Sequence, residues 1–148
     1  MPSSRLFAFV IATFSAWLIA STATAAELPR SKAPADAALY FISPQDGAVL
    51  PPRFTVRFGL RGMGVAPAGI NAPNTGHHHL LIDLASPPAA DRPLPATENV
   101  MHFGAGQTEA ELTLKPGRHT LQLILGNHLH IPHDPPVLSQ QITIEVRE

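Results

Sequence analysis

Residues 53–60 alternate strictly: Phe54, Val56, Phe58 and Leu60 are apolar, and Arg53, Thr55 and Arg57 are polar. Successive side chains of an extended strand point to opposite faces, so a period of two marks a strand with one buried face and one wet face. The same alternation returns in residues 108–114 (Ala110, Leu112, Leu114), 118–125 (Leu121, Leu123, Leu125) and 138–146 (Ile142, Ile144, Val146). Residues 38–43 and 77–84 read as further strands, and residues 100–103 as a short edge strand. Turn chemistry separates them, as in Pro44-Gln45-Asp46-Gly47 and Lys115-Pro116-Gly117. Longer loops fill residues 61–76 and 85–96, and a histidine- and proline-rich loop spans 126–136. After residue 26 no segment carries helical spacing of apolar residues. This pattern predicts an all-β fold, an immunoglobulin-like antiparallel β-sandwich of about seven strands.

Residues 1–25 read as a secretory signal peptide. Arg5 supplies a positive charge, an apolar run of about 15 residues follows, and Ala23-Thr24-Ala25 forms a small-residue cleavage signal. The run falls short of the roughly 20 residues of a spanning helix, which favours a cleaved signal over a retained anchor. Cleavage would remove Trp17 and leave roughly 123 residues, the size of one domain. Residues 26–37 are expected to be a flexible lead-in and residues 38–148 a single sandwich. The expected location is periplasmic or secreted, with no membrane span after signal removal. The chain has no cysteine, which excludes disulfides, thiolate metal sites and cysteine nucleophiles. Ten Lys and Arg against eleven Asp and Glu, scattered singly, argue against a nucleic-acid partner.

The eight histidines carry the functional signal. His77 and His79 stand at i and i+2 in a strand, on one face and about 6.6 Å apart along the chain, so both imidazoles can turn toward one ion. His78 shares the opposite parity with Leu80 and Ile82 and is expected on the core side. His128 and His130 repeat the spacing, and His133 follows beside Asp134. His77 starts a strand and His128 follows the end of another. If those strands are antiparallel neighbours, the two pairs meet at one end of the sandwich. Imidazole suits Cu²⁺ and Zn²⁺. The expected ligands are His77, His79, His128 and His130, with His133 and His102 next. Met63 and Met101 are candidates for a soft ligand but read more simply as packing. His119 shares parity with the core leucines, Asp83 reads more simply as a solvent-facing strand carboxylate than as a ligand, and Asp134 reads equally as a turn cap or a ligand.

Motifs for catalysis are absent from the sequence: there is no G-x-S-x-G, H-E-x-x-H or phosphate-binding glycine loop. Ser139 follows the histidine loop but reads as the start of a strand. The leading reading is therefore a periplasmic domain that binds copper or zinc for sequestration, delivery or sensing. Two other readings stay open. One is a non-catalytic envelope binding or assembly module, with a structural histidine network and a protein partner on the long loops. The other is a metal-dependent enzyme.

Four stretches also resemble a known family. They are Gly76-His77-His78-His79-Leu80-Leu81-Ile82-Asp83, His102-Phe103-Gly104 with Gly106-Gln107-Thr108-Glu109, Gly117-Arg118-His119-Thr120-Leu121-Gln122-Leu123, and His128 through Pro136 followed by Ser139. Over roughly residues 39–146 the chain is similar to small secreted bacterial proteins grouped as domain of unknown function 4399. The resemblance implies a periplasmic or secreted bacterial protein and implies no activity.

Overall fold

The computed structural model describes residues 28–148, so the expected signal peptide lies outside the described residues. Strands are numbered in chain order. One sheet has the order β1 (Ala38–Ser43), β3 (Arg53–Arg61), β7 (Glu109–Thr113), all antiparallel. The other has the order β2 (Val49–Leu50), β9 (Ile142–Val146), β8 (Gly117–Gly126), β5 (Thr75–Ile82), β4 (Gly64–Val65), and β6 (Val100–His102) also pairs with β5. The protein is thus an immunoglobulin-like β-sandwich. It departs from a purely antiparallel plan where β2 meets β9 and β4 meets β5, both parallel two-residue contacts. Among the described residues, no helix is long and apolar enough to cross a membrane.

The core lies between the two sheets and follows the alternation. Phe54, Val56 and Phe58 of β3 and Leu112 of β7 face Leu80 and Ile82 of β5, Leu121, Leu123 and Leu125 of β8, and Ile142, Ile144 and Val146 of β9. Burying each such side chain contributes roughly 1.5–3 kcal/mol before chain entropy is counted. The outward face of β3 and β7 stays wet, and Arg57 pairs with Glu109 at 3.0 Å across it.

Strand β5 is different, because it is buried on both faces. Its sequence runs Leu80-Leu81-Ile82, so apolar residues occupy both parities. Leu81 joins Val100, Ile124 and Leu94 in a second apolar cluster on the outer side of the sheet. The proline-rich loop after β5 supplies Leu94, whose N–H donates to the His130 carbonyl at 2.9 Å.

Two segments add detail to the strand plan. Residues 31–33, within the expected flexible lead-in, run beside Asp134. Ala33 N–H donates to the Asp134 carbonyl at 3.0 Å, Asp134 N–H donates to the Ser31 carbonyl at 2.9 Å, and Lys32 pairs with the Asp134 carboxylate at 2.9 Å. The expected strand over 138–146 is interrupted. Leu138 bridges Ile124, yet Ile142 pairs with Leu121, so one extra residue bulges between them. Ser139 is buried in that bulge. Its Oγ accepts from Leu123 N–H at 2.8 Å and donates to the Gln140 carbonyl at 2.8 Å, so it stands in for ladder bonds.

Removing the Ser139 hydroxyl orphans the buried Leu123 N–H. Ser139→Ala is expected to lower unfolding free energy by about 1–3 kcal/mol. Chemical denaturation would measure this, and an unchanged midpoint would contradict the role assigned to the hydroxyl.

Candidate metal centre

The β5–β8 register builds the site. His77 lies opposite Gly126, His79 opposite Ile124, and His79 opposite His102 on the other side. Directly paired residues share a face, so His77, His79 and His102 project to the outer side of the sheet. The chain then turns back after β8, and Gly126 bridges Pro132. The intervening loop lays His130 over the same spot.

Four imidazoles are in mutual contact. Ring centres lie 4.8 Å apart for His77 and His79, 5.0 Å for His77 and His102, and 5.1 Å for His79 and His102. His130 stands 4.7 Å from His102, 5.0 Å from His77 and 6.0 Å from His79. His77, His79 and His102 each offer a ring nitrogen within 4.8 Å of the others. An ion held at about 2.0–2.1 Å by tetrahedral nitrogens would set them ~3.3 Å apart, so binding would draw the rings inward by side-chain rotation. His77 and His79 are fully buried, His130 is half-buried and His102 is exposed. Both nitrogens of His77 and Nδ1 of His79 have no hydrogen-bond partner among the described residues. Buried polar atoms are rarely left so, and each such atom costs on the order of 1–3 kcal/mol.

Two glycines make room for these rings. A Cβ at Gly126 would stand 2.7 Å from His79 Cε1, and one at Gly104 would collide with the His102 ring. His130 has φ +65°, a strained conformation for a residue with a Cβ. Asn127, itself buried, holds it there. The Asn127 side-chain oxygen accepts from Leu129 N–H at 2.9 Å and Ile131 N–H at 3.0 Å, and its carbonyl accepts from His130 N–H at 2.8 Å. Asn127 Nδ2 donates to Ser31 Oγ at 3.2 Å, which ties the loop to the N-terminal segment.

Two expected ligands stand apart from these four rings. His128 precedes the strained turn, and its carbonyl accepts from Gly69 N–H at 3.0 Å. With His130 bent into positive φ, the i, i+2 parity that would pair the two rings no longer holds. His133 is buried on its own, with Nε2 donating to the Thr75 carbonyl at 3.1 Å and Nδ1 3.4 Å from the Leu125 carbonyl. Asp134 is taken up by Lys32 and Arg30. Met101 pairs with Leu80 and packs, like Met63, against the core between the sheets, away from the imidazoles. His119 is braced by Asp83, with Nδ1 2.7 Å from a carboxylate oxygen. His102, ranked behind the loop histidines from sequence, stands inside the cluster. Asn127, Gly104 and Gly126 were missed. An Asn directly after Gly in a turn-rich loop is the signal that could have pointed to the first.

The family description "Domain of unknown function (DUF4399)" matches residues 56–147, more than half of the chain. The chain belongs to this family. No curated protein matches it. Among solved structures it is similar to the fibronectin(III)-like modules of Clostridium thermocellum CbhA, at 11% identity and a TM-score of 0.33, over 73% of this chain and 92% of that one. The four-histidine cluster of this family member therefore has to be read from its own chemistry.

For His77, His79 and His102 that chemistry is of imidazoles held toward the neutral form. Burial pushes His77 down to about 4, helped by the neighbouring His130 and His102 rings. Burial likewise takes His79 down to about 3, with His77 and His102 adding to it. Burial lowers His102 and His133 as well. His78, on the other face, is pushed down to about 4 by burial against Phe58, whose ring centre is 5.1 Å away, and neither of its nitrogens has a partner among the described residues. Neutral rings with free lone pairs are the form in which histidine binds transition metals. His119 moves the other way. Burial opposes the change, but the Asp83 hydrogen bond, the Lys115 carbonyl and the Asp83 charge outweigh it and raise the ring.

Unfolding returns each imidazole to about 6.5, so below that pH the unfolded chain binds protons that the folded chain refuses. Stability of the metal-free protein is expected to be full above about pH 6.5 and to fall as pH drops toward about 4. The raised His119 works in reverse: its contribution is present below about pH 6.5 and is lost as pH rises through its folded value. His78→Leu removes one lowered group without touching the outer cluster. Its stability relative to the parent is expected to be about 1–2 kcal/mol more favourable at pH 5 than at pH 8. Equal differences at the two pH values would show that His78 does not titrate as described.

Proposed function

We propose that this domain binds one divalent transition-metal ion, copper or zinc, through His77, His79, His102 and His130. One observation carries the reading: the buried nitrogens of His77 and His79 are left without hydrogen-bond partners while a third and a fourth ring converge on them. His78 also lacks partners but stands alone against Phe58 on the core side, and His133 and His119 spend their nitrogens on hydrogen bonds, so the convergence of four rings is what sets this cluster apart. An all-imidazole set without sulfur suits Cu²⁺ or Zn²⁺ better than Cu⁺, Mg²⁺ or Ca²⁺. With the export signal read from residues 1–25, the role is metal sequestration, delivery or sensing in the periplasm or outside the cell.

Titration calorimetry of tag-free protein with Cu²⁺ and with Zn²⁺ tests this. One ion per chain is expected, with sub-micromolar affinity on the order of 8 kcal/mol or more. His77→Ala with His79→Ala should abolish stoichiometric binding while circular dichroism still reports a β-fold. Weak binding at several sites, unchanged in that double variant, would leave the histidines structural. Asn127→Ala is expected to keep one ion per chain and to weaken affinity by about 10–100-fold, because it loosens the support of His130. Unaltered affinity in that variant would mean that His130 is not held by the turn.

A further inference from the structure

The four imidazoles are held with unequal firmness. His77 and His79 lie inside β5, which pairs with β8 along its whole outer cluster, and both are buried. His130 is locked by the bonds Asn127 makes to Leu129, His130 and Ile131. His102 is the last residue of the three-residue strand β6, it is exposed, and its ring rests over Gly104, where no side chain confines it. Solvent therefore reaches the cluster at the His102 side, at the ligand with the weakest support.

Resting on the metal-binding reading, we infer that the site is a transfer site, which takes up and hands over its ion by ligand exchange at His102. The incoming group is a deprotonated donor, an imidazole or carboxylate of an acceptor molecule. It approaches from the exposed side and forms a bond to the ion as the bond from His102 breaks. No electron is transferred, the ion keeps its charge, and His102 leaves as neutral imidazole. His77, His79 and His130 then release in turn. An ion enclosed on all sides would instead have to wait for spontaneous opening of the cluster.

Stopped-flow transfer from the loaded full-length protein to a carboxylate chelator, followed by copper absorbance or by a zinc indicator, separates the two cases. The transfer rate is expected to rise in proportion to chelator concentration. His102→Ala, at an exposed position, should still bind one ion per chain but release it about tenfold faster or more. A rate that does not depend on chelator concentration would overturn the inference and leave metal binding intact. So would loss of one-to-one binding in His102→Ala alongside its retention in His130→Ala, since His102 would then be a holding ligand. Failure of the unaltered protein to bind either ion would remove the metal reading itself, and the transfer role with it.

Discussion

The ladder between β5 and β8 decides both halves of this protein. In one register it places His78, Leu80 and Ile82 against Leu125, Leu123 and Leu121 on the core side. The same register places His77 beside Gly126 and His79 beside Ile124 on the outer side. A slip of one residue would turn every side chain to the other face, drive His77 and His79 into the sandwich core and expose the leucines. The apolar packing of three core rows therefore enforces the placement of the imidazoles, and the site borrows its rigidity from the core.

That rigidity comes with local conflict. Strand β5 buries three consecutive histidines, and burial holds their rings neutral well below their ordinary protonation range. His130 is bent into positive φ, and Gly104 and Gly126 are kept free of side chains by the rings above them. Each feature weakens the fold locally and each serves the same cluster. Departures from good local chemistry that gather at one place are what a functional site looks like in a chain that is otherwise self-consistent.

Much of the fold was legible because the alternation in β3, β7, β8 and β9 is regular and the intervening turns carry Gly, Pro and Asp. The double burial of β5 was not, because the loop that follows it folds back to lay Leu94 over its outer face, and nothing in a proline-rich loop's composition says where it packs. The bulge at Ser139 was also hidden, since one extra residue leaves the apolar pattern of 142–146 intact. In the site, the His77 and His79 pair followed from strand parity alone. Extending parity to His128 and His130 failed because a turn, unlike a strand, has no period of two.

The sequence by itself determined the fold class, the inward face of each long strand and the crowding of imidazoles into residues 77–79 and 128–133, because these depend on local periodicity and on residue type. Only the tertiary structure decided which imidazoles meet. His102 arrives from a short edge strand, His130 arrives through the Asn127 turn, and His128 and His133 are directed elsewhere by backbone geometry and by carbonyl partners. Contacts between segments so far apart in the chain are set by strand order and loop shape, which no local pattern of residues encodes.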